Sequence, residues 1–108
     1  MDLMDYNKIE NKYIKADIKG HYLFVNALEV KAVLGYDFRT IRGFKDLSID
    51  HKELAERLVC KFINGHGLES RESLRPTSIK RERGKFTVHY KHYNSKGFSY
   101  LYDSGSVG

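Results

Sequence analysis

The clearest signal in the chain is a change of hydrophobic period. Apolar side chains fall at Leu54, Ala55, Leu58, Val59, Phe62 and Ile63, three and four apart, which is the stripe of an amphipathic helix. Asp50 with Glu53 three residues later reads as a capping box, and Asn64-Gly65 reads as a stop. The pattern therefore predicts a helix over 51–64, followed by a loop over 66–73. Beyond it the period becomes two. Pro76 opens a strand that runs to about Arg81, and Arg83-Gly84 is a turn. Phe86, Val88, Tyr90 and His92 then share one face. Asn94-Ser95-Lys96-Gly97 reads as a second turn, and Phe98, Tyr100 and Tyr102 alternate with Ser99, Leu101 and Asp103. This is a three-stranded antiparallel meander over about 76–103.

The N-terminal half is less regular. Tyr6, Ile9, Tyr13 and Ala16 suit one helix face, while residues 13–18 also suit a strand. Lys19-Gly20 reads as a turn, and residues 21–25 form an aromatic, β-branched run that predicts a strand. Asn26 and Glu29 make another capping box, for a short helix over 27–34 that Gly35 ends. Residues 36–47 are a second short helix or a loop, with Gly43 against a long helix.

These elements predict an α+β fold. A strand and short-helix region and the helix 51–64 would pack on the C-terminal meander. Leu54, Leu58, Phe62, Val88, Tyr90, Phe98 and Tyr100 are the expected core. One domain over 1–103 and a flexible Gly/Ser-rich tail over 104–108 account for the length. A hydrophobic share of 41% is enough for such a core and argues against a disordered chain. No run approaches the ~18 apolar residues of a membrane span. The acidic start Met1-Asp2-Leu3-Met4-Asp5 lacks a secretory h-region. A single cysteine makes no internal disulfide. A cytoplasmic protein, with no membrane partner, is the expectation.

Charge changes the picture most. After residue 69 the chain carries eight Lys and Arg against three Asp and Glu, so the whole formal excess of +5 lies in the last third. Arg71, Arg75, Lys80, Arg81, Arg83, Lys85 and Lys91 are candidate phosphate contacts, interleaved with Phe, Tyr and His. Cations neutralise phosphates and flat rings stack on bases. Arg83-Gly84 with Val88 and Tyr90 falls in register with the first RNA-recognition-motif signature. That signature's aromatic positions are Lys85 and Thr87 here, so the match fails where stacking occurs.

Residues 25–38, Val-Asn-Ala-Leu-Glu-Val-Lys-Ala-Val-Leu-Gly-Tyr-Asp-Phe, extend the argument. Over 22–42 the chain resembles the start of KilA-N/APSES-type DNA-binding domains. Tyr22 to Val25 matches that family's strand, Val25-Asn26-Ala27 its motif, and Gly35 and Phe38 its Gly and aromatic. The family's usual Thr and Trp positions hold Leu28 and Ile41. The resemblance implies a second helix carrying Arg39, Arg42 and Lys45 toward DNA, and a phage, viral or mobile-element context.

Chemistry beyond binding finds little support. The five histidines and Cys60 show no metal-ligand spacing, so no metal or other cofactor is expected. Cys60 falls beside Glu53 and Arg57 on its helix, where an inert thiol is expected. No nucleophile–base set or phosphate-cradling glycine loop stands out, and a non-enzymatic protein is expected. The favoured reading is a small nucleic-acid-binding accessory or regulatory protein, with duplex DNA the first partner. The alternative is a phage- or plasmid-encoded inhibitor that binds a host nucleic-acid enzyme. Homodimerisation stays open.

Overall fold

The fold is α+β: helices come first in the described chain, and a three-stranded antiparallel sheet closes it. The computed structural model describes residues 22–108. The readings of residues 6–18 and of Lys19-Gly20 lie outside them. In chain order the elements are α1 (Ala27–Leu34), a 3-10 turn (Phe38–Thr40), α2 (Ile49–Asn64), α3 (Leu68–Ser73), β1 (Leu74–Glu82), β2 (Lys85–His92) and β3 (Ser95–Tyr102). Among the described residues no helix is long and apolar enough to cross a membrane.

Local chemistry sets the helix ends. The Asn26 side chain accepts from the Glu29 amide at 2.9 Å, as a capping residue should. The Glu29 carboxylate reaches one residue further back, to the Val25 amide, and also accepts from the Tyr22 hydroxyl. Gly35 ends α1 at φ 85°. The cap of α2 is Ser48, whose hydroxyl accepts from the His51 amide, so the helix starts two residues before the expected boundary. Asp50 then lies in the first turn, where the helix dipole favours a carboxylate. Residues 68–73, expected as loop, form α3, and β1 begins at Leu74 rather than Pro76. Residues 22–25 make no strand ladder in the described chain. Instead the Asn64 amide at the end of α2 exchanges two hydrogen bonds with the Phe24 backbone, at 2.8 and 2.9 Å.

The sheet order is β1-β2-β3. Register assigns its two faces. Phe86 pairs with Leu101, Val88 with Ser99 and Tyr90 with Gly97, and this face covers the core under α2. Leu58, Val59, Phe62, Ile63, Phe86, Val88 and Leu101 are buried there, joined by Phe24, Val30, Phe38 and Phe44 from the first half of the chain. Leu54 and Tyr90 pack against them at the margin.

Two of the expected core residues lie on the other face. The second hairpin turns at Tyr93-Asn94, with His92 opposite Ser95, so Lys96 and Gly97 belong to β3 and not to the turn. That register sends Gly97, Ser99 and Leu101 inward and Phe98, Tyr100 and Tyr102 outward. Small residues at 97 and 99 leave room for the Tyr90 ring, which a Cβ on Gly97 would meet at 3.0 Å, and for α2.

Both sheet edges are occupied. A bulge at Thr77 shifts the β1–β2 register and lets Pro76 and Ile79 both point inward. There the chain around Arg42 bonds to the β1 edge, through Arg42 N to Thr77 O and Ile79 N to Arg42 O. Gly43 permits this approach: its φ is 90°, and a Cβ would lie 2.1 Å from Ile79 O. At the other edge, residues 104–108 fold back on β3 instead of fraying. Tyr100 exchanges backbone hydrogen bonds with Gly108, and Tyr102 N donates to Ser106 O.

Candidate functional site

The outward sheet face is uncovered among the described residues, and cations and rings crowd it. Across the three strands it presents Arg75, Lys91 and Lys96 in one row, and Ser78, His89 and Phe98 in the next. Lys80, Thr87 and Tyr100 follow, then Glu82, Lys85 and Tyr102. Glu82 is the one carboxylate in these rows. It accepts from the Thr87 hydroxyl and lies 3.9 Å from Lys85 Nζ. Lys85 Nζ also sits 4.0 Å from the centre of the Tyr100 ring.

Lys91 stands directly opposite Lys96, and both are exposed. Like charges paired across strands destabilise a sheet. No ion pair within the described chain relieves this one. Between their row and the His89–Phe98 row lies a recess of about 390 Å³. Thr77, His89, Tyr90, Lys91, Lys96 and Gly97 line it.

The candidate cations divide into three groups. Lys80, Arg83 and Lys91 are exposed and lack an ion-pair partner among the described residues. Arg81, Arg75 and Lys85, the last beside Glu82, are engaged. Arg81 grips Asp103 through two hydrogen bonds of 2.6 and 2.9 Å, which raise the pKa of Arg81 and hold the Asp103 carboxyl below its usual range. Arg75 folds over the Tyr36 ring at 4.4 Å and donates to Leu74 O. Arg71 belongs to the interior, which corrects its placement among the surface contacts. It is 2% exposed, and its guanidinium donates to the carbonyls of His66, Asn64 and Tyr22. It ties the end of α2, the following loop and the N-terminal segment together, and burial lowers its pKa.

Arg39 and Arg42 lie on no second helix. Phe38–Thr40 is one 3-10 turn capped by Asp37. The Asp37 carboxylate holds Arg39 at 2.8–2.9 Å, chiefly through side-chain hydrogen bonds that keep the carboxyl pKa low. Arg42 is exposed beside β1, and with Arg39 and Lys45 it lines a second recess of about 360 Å³.

The remaining chemistry is quiet. Among the described residues no three His, Cys, Asp or Glu gather closely enough to hold a metal ion. Cys60 faces the core, not Glu53 and Arg57. It is 1% exposed, and burial pushes its thiol up to about 12. Sequence reasoning put Lys96 in the second turn and Phe98 in the core, and so missed both for this face. Their signal was the length of the second hairpin turn, which alone fixes the faces of β3.

No family model matches this chain, nor does any curated protein or solved structure.

Proposed function

We propose that this protein is a nucleic-acid-binding module that uses the outward face of its sheet and carries out no reaction of its own. The observation that carries this reading is the unrelieved Lys91–Lys96 pair on a face whose one carboxylate is already engaged. A polyanion laid across it relieves that repulsion and releases its own condensed counterions. Lys80, Lys91 and Lys96, with Arg83 at the adjoining hairpin turn, supply about four phosphate contacts. The KilA-N-like segment supports an accessory or regulatory role on DNA in a phage or mobile element, with Arg42 extending the basic surface beyond β1.

Binding of labelled duplex DNA, single-stranded DNA and RNA across a salt series tests this. With about four contacts, log K against log[salt] should slope near −3 to −4 on a duplex and near −3 on a single strand. Lys91→Glu with Lys96→Glu should weaken binding to every sequence and flatten the slope, because phosphate contacts carry no base information. Arg57→Glu, on the exposed side of α2, should leave both unchanged. Absence of binding even at low salt would overturn the reading. Capture of one host nucleic-acid enzyme from extract would then put the inhibitor in its place.

A further inference from the structure

Most of the outward cations can meet phosphates without any help from rings, yet the same face exposes a costly apolar surface. Phe98 is 54% exposed, in a chain whose other phenylalanines at 24, 38, 44, 62 and 86 are all buried. Its ring touches His89 at 5.8 Å on one side and Tyr100 at 5.5 Å on the other, so its position is fixed by neighbours on two strands. Tyr102 continues the row 6.3 Å beyond Tyr100. Phe98 and Tyr102 are exposed at the two ends of this row, with the half-exposed Tyr100 between them.

The rings and the cations are also spaced as one site. Phe98 is two residues along β3 from Lys96, about 6.6 Å of strand rise. His89, Lys91, Lys96 and Gly97, the neighbours of Phe98 on the two strands, line the recess. In the neighbouring direction Lys85 caps Tyr100 and sits 6.0 Å from Tyr102. A strand of nucleotides running along β3 would set a base against Phe98 while its phosphate meets Lys91 and Lys96.

Resting on the nucleic-acid reading above, we propose that Phe98, His89 and the adjoining recess form a base-stacking site, and that the protein's preferred partner is single-stranded nucleic acid. Bases within a duplex are stacked on each other and offer no free face to a ring standing on a flat sheet. An unpaired base offers one. This replaces the duplex expected from charge alone. Lys85 and Thr87, the β2 positions at which the RNA-recognition signature fails, stand opposite Tyr102 and Tyr100. The rings of this face therefore come from the next strand. DNA and RNA single strands share the stacking chemistry.

The chain has no tryptophan, so Phe98→Trp gives a unique fluorophore at the site. Oligothymidylate, oligouridylate and a mixed duplex, each of about ten nucleotides or base pairs, serve as probes. The single strands should bind at least about tenfold more tightly than the duplex and quench the new tryptophan, which the duplex should not. Phe98→Ala should weaken single-strand binding by about 5- to 100-fold with the salt slope unchanged, since the ring carries no charge. Phe98→Trp should retain binding. The thymidylate and uridylate arms separate a DNA from an RNA preference. Equal or tighter duplex binding, or an unaffected Phe98→Ala, would overturn the stacking site. Salt-dependent binding lost in Lys91→Glu with Lys96→Glu would then leave the broader reading standing. No binding to any probe would sink both.

Discussion

Arg71 and Cys60 show how little a residue's type says about its task. Arg71 sits in the basic third of the sequence, next to residues that do reach solvent, yet it spends its donors on three backbone carbonyls. Counting charge along a chain cannot separate the two roles, because the carbonyls it satisfies come from residues 22, 64 and 66. Cys60 and Tyr36 make a measurable pair of buried neutral groups. Burial raises the thiol from 9.0 to about 12, with Glu56 and Glu29 adding to it. Burial likewise raises the Tyr36 phenol from 10.0 to about 12, against the opposing pull of Arg75 and Arg71. Both folded values lie above the unfolded ones. Their stability is intact below about pH 9 and is lost as pH rises through 9 to 12. Alkaline unfolding followed by circular dichroism should therefore begin above pH 9. Iodoacetamide at pH 8 should leave Cys60 unmodified in the native protein and alkylate it in denaturant. Rapid native alkylation would show the thiol to be accessible.

At the scale of elements, legibility followed period and failed on register. The stripe Leu54 to Ile63 located α2 because a helix writes its buried face into spacing, and Arg83-Gly84 located the first hairpin by its chemistry. A strand writes only alternation, and two alternating sets in β3 compete for the core. Aromatic size favoured Phe98 and Tyr100. Hydrogen-bond register, set by a two-residue turn with Tyr93 at φ 57°, chose Gly97, Ser99 and Leu101. The site inherits this: its lysines on β1 and β2 were readable, while its ring and its fourth lysine were not. The Thr77 bulge was equally hidden, since its partner is the distant Arg42 segment. The α2 packing has its own test. Leu58 is 7% exposed, and Leu58→Ala should cost about 2–5 kcal/mol in urea denaturation. A change under about 0.5 kcal/mol, the size expected of a surface substitution, would mean that α2 does not cover the sheet as described.

Seen whole, the described chain keeps one sheet face dry beneath α2 and leaves the other to water, with cations and rings concentrated on the wet side. The sequence declared that imbalance as a net charge in its last third, and the fold turns a linear bias into a surface. The occupied edges of that sheet bear on behaviour at high concentration. A bare strand edge is a template onto which another copy can add, the first step toward ribbons and fibrils. Here the Arg42 segment blunts one edge and the returning residues 104–108 cap the other. Removing 104–108 strips the partners from Tyr100 and Tyr102 N–H groups on a strand with a β-rich, aromatic outer face. Such a protein should scatter light and bind thioflavin T at concentrations where the intact chain stays clear. Equal clarity of the two would show that the returning segment guards nothing.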